Sequence, residues 1–124
     1  MLEATLANAV NQRSMEMEPV SRHLGKHLLR TGKLNSYCIF VSNHLNINVI
    51  SDFRSRKTTE WFDTRDTSRF VNGMKIIPLQ ASELKTIVLN KVKYSELYGV
   101  FGQAFNSADR ISDWYEKNII KLIN

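Results

Sequence analysis

Apolar and polar residues alternate at the start of the chain. Leu2, Ala4 and Leu6 fall on one side and Glu3 and Thr5 on the other. That period of two predicts a half-buried strand with the three apolar residues facing the core. A mostly polar stretch over residues 8–14 leads into a helical pattern, with Pro19 suited to the first helical position because its missing N–H costs nothing there. Val20, Leu24, Leu28 and Met17 make one apolar stripe, and Gly32 supplies a C-terminal stop. The run Tyr37-Cys38-Ile39-Phe40-Val41 is continuously apolar and rich in β-formers, the mark of a strand buried on both faces in a parallel sheet. Strand, helix and buried strand form a βαβ unit, whose connection is expected to be right-handed.

The pattern continues with a helix over residues 47–56, carrying Ile47, Ile50 and Phe53. Residues 58–68 are polar and charged except for Trp61 and Phe62, and read as an inserted surface loop. A strand over residues 74–79 follows Gly73. Ser82 then caps a helix carrying Leu84, Ile87, Val88 and Val92. Residues 95–124 read as two further helices, the last with Ile111, Trp114, Tyr115, Ile119 and Leu122 on its apolar side. The expected order is β-α-β-α-β-α-α-α: one α/β domain, or a piece of one.

Composition narrows the class without naming a function. The 124 residues are enough for one ordinary core, and 43% hydrophobic with 23% charged residues argues against disorder. No apolar run is long enough to cross a membrane, and the first residues carry no basic-then-apolar signal. A single cysteine, Cys38, has no internal partner, which fits a reducing cytoplasm and an inert buried thiol. An excess of 17 Lys and Arg over 12 Asp and Glu gives +5 and a pI near 9.5, which favours polyanionic partners.

Candidate chemistry begins with Glu3 and Thr5, two apart and so on one side of a strand. Metal-dependent nucleases project acidic groups side by side into a cleft in this way, although alternating strands present such pairs everywhere. The first helix carries Arg22, Lys26 and Arg30 at i, i+4, i+8, with His23 and His27 beside them. A cation row of that kind suits a phosphate backbone, and equally a solvated helix face. His23 and His27 with His44 would be a possible zinc set lacking an acidic or cysteine partner. Glu16 and Glu18 precede the predicted helix and can offset charge at its positive end. Arg54, Arg56, Lys57, Arg65 and Arg69 cluster around Trp61, but Asp52, Glu60, Asp63 and Asp66 interleave with them, as in an ordinary solvated loop, with DNA contacts or a subunit interface as the alternatives. There is no Gly-rich phosphate loop, CxxC pair or nucleophile elbow.

Two runs raise the nuclease reading above the others. Leu2-Glu3-Ala4-Thr5-Leu6 followed by Glu16-Met17-Glu18-Pro19-Val20-Ser21-Arg22-His23 resembles the AlwI family of type IIS restriction endonucleases, with its Glu-Val-Thr-like strand and Glu-x-Glu-Pro-Val-x-Arg-His-like helix start. Ile39-Phe40-Val41-Ser42-Asn43-His44 is similar to a strand end in the FokI cleavage domain. Ile76-Ile77-Pro78-Leu79 and Ser82-Glu83-Leu84 echo the strand and Glu-Leu-containing helix that follow there. The resemblance implies a partial core of the PD-(D/E)XK nucleases, a mixed sheet flanked by helices, acting on double-stranded DNA with Mg²⁺. It implies that Glu3 is the catalytic and metal-binding carboxylate. Thr5 then stands where most relatives carry lysine, so that Arg13 or Lys26 would have to supply the missing cation. Arg13, Arg22, His23, Lys26 and Arg30 become the expected DNA-binding residues. Only two residues precede Glu3, leaving no room for the superfamily's upstream aspartate strand. Residues 1–124 are therefore expected to be the C-terminal part of a catalytic domain, or a truncated product. Little cleavage is expected from the chain by itself, with a homodimer or partner subunit needed to cut both strands. The competing expectation is a non-catalytic DNA-binding or protein-interaction module with a degenerate nuclease fold.

Overall fold

The structure is a computed structural model that describes residues 1–4 and 9–121, and the side chains of all of these except residues 9–17. Thr5, Leu6 and Leu122 lie outside the described residues, as do the side chains of Arg13, Glu16 and Met17. The elements run β1 (Leu2–Ala4), α1 (Ala9–Thr31), β2 (Tyr37–Ser42), α2 (Ile47–Ser55), β3 (Glu60–Asp63), β4 (Asp66–Asn72), β5 (Lys75–Gln80), α3 (Ala81–Leu89), α4 (Tyr94–Asn106) and α5 (Ile111–Tyr115). A π-helical turn, Glu116–Ile120, continues α5.

β1, β2 and β5 form a parallel sheet in that order, and β3 pairs antiparallel with β4 as a separate hairpin. Register divides the side chains between two faces. Glu3 is opposite Phe40, and Phe40 opposite Pro78, so these share one face with Cys38 and Ile76. Against that face lie Val20, Leu24 and Leu28 of α1, Val49 and Phe53 of α2, and Val71 and Met74. On the other face Val41, Ile77 and Leu79 pack under Ile87 of α3, Phe101 and Ala104 of α4, Trp114 and Ile119. Both faces of β2 and β5 are covered, which is why their sequences read as continuous apolar runs.

The edge strand behaves differently from its pattern. Alternation predicts Leu2 and Ala4 in the core, yet both are exposed, Leu2 at 60%, while Glu3 is half-buried beneath α1. The cluster under α3–α5 takes residues from β2 and β5 and none from β1, so the face carrying Leu2 and Ala4 stays open. Alternation gives the two sides of a strand; which of them is covered depends on what packs there.

Other corrections are local. α1 starts ten residues before Pro19, which stands inside the helix and removes one main-chain donor rather than opening it. Gly32 ends α1 as expected, with φ +69° and its N–H bonded to Leu28 O at 2.9 Å. Ile47 and Val88 are exposed, and the core positions of α2 are Val49, Ile50 and Phe53. Gln80, not Ser82, is the N-cap of α3, and the Ser82 hydroxyl donates instead to the buried Glu83 carboxylate. The expected loop over residues 58–68 is most of the hairpin, whose turn is built by Asp63 Oδ1 accepting from Arg65 N at 3.0 Å.

Two close contacts hold the outer elements. Trp61 of β3 lies flat on α1 at Gly25, where an added Cβ would come within 2.4 Å of its ring. At the far end, Arg54 of α2 donates to Ala104 O at 2.9 Å and Ser107 O at 2.6 Å, and its guanidinium sits 4.8 Å from the centre of the Trp114 ring. Lys57 donates to Phe105 O at 3.1 Å. These cations satisfy the last carbonyls of α4, a favourable place for positive charge. Two members of the supposed basic cluster around Trp61 thus belong to another part of the molecule and hold the C-terminal helices to α2.

Two outcomes are expected. Gly25→Ala forces the helix off the Trp61 ring and lowers stability by about 1–3 kcal/mol in urea titration. Burial, with Glu3 adding to the rise and the N-terminal ammonium opposing it, pushes the Cys38 thiol up to about 12. Native protein at about pH 8 therefore leaves Cys38 unlabelled by a thiol reagent, and unfolding in guanidinium exposes it to complete labelling.

Candidate nucleic-acid interface and carboxylate site

Glu3 reaches α1 because β1 and β2 are parallel and α1 is the crossover between them. The side chain on that face meets the helix near His23, whose ring Nδ1–H donates to Glu3 Oε1 at 3.0 Å. Glu3 Oε2 accepts no bond from a described residue. One carboxylate and one imidazole thus meet at the margin of the sheet, in partial contact with water.

The cation row on α1 divides, among the described residues, into a paired and an unpaired part. Arg22 is paired with Glu18 at 3.3 Å across one helical turn, an exposed ion pair of small net value. His23, Lys26, His27 and Arg30 line, with Met1, an open depression of about 400 Å³ beside Glu3. Arg30 Nη2 donates to His27 Nδ1 at 3.4 Å. Lys26 and Arg30 also line a second depression of about 480 Å³, whose opposite wall is Asp63, Arg65 and Arg69 of the hairpin. The structure therefore brings Glu3, His23, Lys26 and Arg30 onto one surface, and adds Arg65 and Arg69, which the mixed-charge pattern assigns to a solvated loop. A tight Asx turn at Asp63, flanked by the aromatic pair Trp61 and Phe62, is the sequence signal that marks this hairpin.

Metal binding can be tested against the same geometry. Among the described residues, no three His, Cys, Asp or Glu side chains come together to hold an ion, so His23, His27 and His44 do not form a zinc site. A hard dication such as Mg²⁺ requires several oxygen ligands. The described surroundings of Glu3 provide its own carboxylate and no second one, so these residues do not by themselves fit a Mg²⁺ site. No helix among the described residues is long and apolar enough to cross a membrane.

Comparison with known proteins gives this surface a context. A family model described as AlwI restriction endonuclease matches residues 1–87, a span that runs from Glu3 through the α1 cations and the hairpin to Ile87 of α3. Among solved structures, the chain is similar to the small subunit (R.BspD6I2) of the heterodimeric restriction endonuclease R.BspD6I, with a TM-score of 0.64 and 18% identity. The match covers 99% of this chain and 60% of that one, so the chain spans about three-fifths of the length of this neighbour. At that identity the likeness shows the fold. No curated protein matches the chain.

If the α1 row contacts phosphates, Lys26→Gln combined with Arg30→Gln weakens binding to a DNA duplex and lowers the slope of log K against log salt by about 2, one unit for each phosphate no longer neutralised. Arg22→Gln, which removes a cation already paired with Glu18, changes the slope by less. Fluorescence anisotropy across a salt series measures both.

Proposed function

The chain belongs to the AlwI restriction endonuclease family, and from that premise we propose that it is the C-terminal part of a type IIS catalytic domain. Complete, that domain hydrolyses phosphodiester bonds of double-stranded DNA in the cytoplasm with Mg²⁺ as cofactor. The observation that carries this reading is the placement of Glu3: a half-buried carboxylate on the sheet face beneath α1, bordering a surface lined by Lys26, His27 and Arg30, all within the family-matched segment.

In this reading Glu3 would supply one ligand to Mg²⁺, and the remaining oxygen ligands would have to come from outside the described residues. His23 holds Oε1 and fixes the direction of the carboxylate. Thr5 stands at the position of the usual lysine and cannot supply its charge, so that Arg13 or Lys26 does. Arg22, His23, Lys26 and Arg30 position the phosphate backbone. A second chain, either another copy or a distinct partner subunit, contributes what cutting the second strand needs. The similar fold of a small subunit of a heterodimeric enzyme supports the partner-subunit form.

A second reading has one observation in its favour, the lack of a three-ligand cluster among the described residues. In that case the fold is retained as a non-catalytic DNA-binding or protein-interaction module, and the cation surface matters while Glu3 does not.

Glu3→Gln separates the two. In the enzyme assembled with its missing segment or subunit, the substitution is expected to lower Mg²⁺-dependent cleavage by roughly a hundredfold or more while duplex binding persists. Unchanged cleavage would remove Glu3 from catalysis. The 124-residue chain alone is expected to leave supercoiled plasmid intact with Mg²⁺ present. Nicking that disappears in Glu3→Gln would show instead that the chain already carries a working site.

A further inference from the structure

The hairpin is the part of this surface whose mixed charges read in the sequence first as a solvated loop, with DNA contacts or a subunit interface as alternatives. We propose that β3–β4 forms a second wall of a DNA backbone clamp, with Arg65 and Arg69 facing Lys26 and Arg30 of α1 across the cleft between them. The proposal rests on the reading of the chain as a DNA-directed protein and extends it to residues outside the α1 row.

Four observations carry it. The first is register: Trp61 is opposite Val71, and by alternation along β4 Arg69 shares the side of Val71, the side turned toward α1, while the irregular register after Phe62 still leaves Asp63 lining the same cleft. The second is charge. Four cations surround a cleft of about 480 Å³, and among the described residues none of them lies within ion-pairing distance of a carboxylate. Like charges held together in this way raise the local positive potential and favour a polyanion that neutralises several at once. The third concerns the interleaved acids. Asp63 Oδ1 accepts from the Arg65 main chain at 3.0 Å, and Asp66 Oδ1 accepts from Ser68 N at 3.1 Å and Ser68 Oγ at 2.6 Å. These carboxylates build the turn, and the hydrogen bonds from Ser68, with a smaller contribution from the charge of Arg69, hold Asp66 below the usual carboxylate range.

The fourth observation is continuity with the carboxylate. Lys26 and Arg30 line both depressions, so the cation track leads from His23, which touches Glu3, along α1 to the hairpin. From residue 23 to residue 30 a helix advances about 10 Å, the reach of a few backbone phosphates on one strand. The Trp61 ring resting on Gly25 fixes how far the hairpin stands from the helix, and with it the width of the cleft. A wall of arginines suits phosphate oxygens, which guanidinium groups meet with two parallel hydrogen bonds.

The test uses the 124-residue chain and a fluorescent duplex of about 20 base pairs, titrated by anisotropy between about 50 and 200 mM salt. Arg65→Gln with Arg69→Gln alters exposed side chains, and circular dichroism checks that the fold is kept. The double variant is expected to lower the salt slope by about 2, so that its affinity loss across that salt range is about tenfold smaller than that of the parent. The comparison variant, Lys85→Gln with Lys93→Gln, removes the same charge from the exposed α3–α4 side and is expected to leave the slope within about half a unit. An equal drop in both variants makes the effect one of net charge and overturns the clamp. An unchanged slope for the hairpin variant alongside a reduced slope for Lys26→Gln with Arg30→Gln also overturns it, leaving the α1 reading in place. No measurable duplex binding by the parent chain at about 50 mM salt overturns both. Tighter binding to an RNA duplex with the same hairpin dependence overturns the assignment to DNA.

Discussion

The packing of α1 across the face shared by β1 and β2 is the constraint on which the remaining structure depends. Two neighbouring parallel strands cannot be joined by a tight turn, so the chain between them must cross over, and here the crossover is a long helix. Val20, Leu24 and Leu28 are almost fully buried against Cys38 and Phe40, which fixes the rotation of the helix about its axis. Once that rotation is set, the opposite stripe of Lys26, His27 and Arg30 has to lie at the surface, and His23 has to lie at the margin where Glu3 emerges. A core contact between aliphatic side chains thereby determines where the polar groups meet.

The remaining elements are added to this unit by contacts of a few kinds. The hairpin is seated by one flat aromatic ring on a residue without a side chain, and Val71 beside it joins the core cluster beneath α1. The C-terminal helices are joined to α2 by Arg54, whose guanidinium serves the last carbonyls of α4 and faces the Trp114 ring, while the Trp114 indole N–H donates to Ala104 O at 2.8 Å. Asn118 in the π-helical turn donates to Trp114 O, Asp109 and Ser107, fixing the connection after α4. One stretch of sequence therefore supplies both the basic residues that hold the cover of one sheet face, Arg54 and Lys57, and those that line the cleft beside α1, Arg65 and Arg69.

That stretch also explains why charge pattern is a poor guide by itself. Arg54, Lys57, Arg65 and Arg69 lie close in sequence among four acidic residues. The fold sends the first two toward α4 and the last two toward α1, and it uses Asp63 and Asp66 to shape the turn between β3 and β4. A count of opposite signs in a window carries none of this, because the partners of each side chain come from elements far away along the chain.

Much was fixed by local chemistry that a single sequence carries. The apolar run of β2 required cover on both faces, the spacing of Val20, Leu24 and Leu28 required a helix packed on one side, and the achiral Gly32 allowed that helix to end. The succession Glu3, Pro19, Arg22 and His23 placed the chain near the family to which it belongs. Tertiary structure decided the rest. It left Leu2 and Ala4 exposed, because helices α3 to α5 cover β2 and β5 without extending over β1. It extended α1 upstream of Pro19, made a hairpin of the expected loop, and brought Arg65 and Arg69 opposite Lys26 and Arg30. Periodicity specifies which residues of an element lie together, but the element they face is chosen by packing between segments distant in sequence.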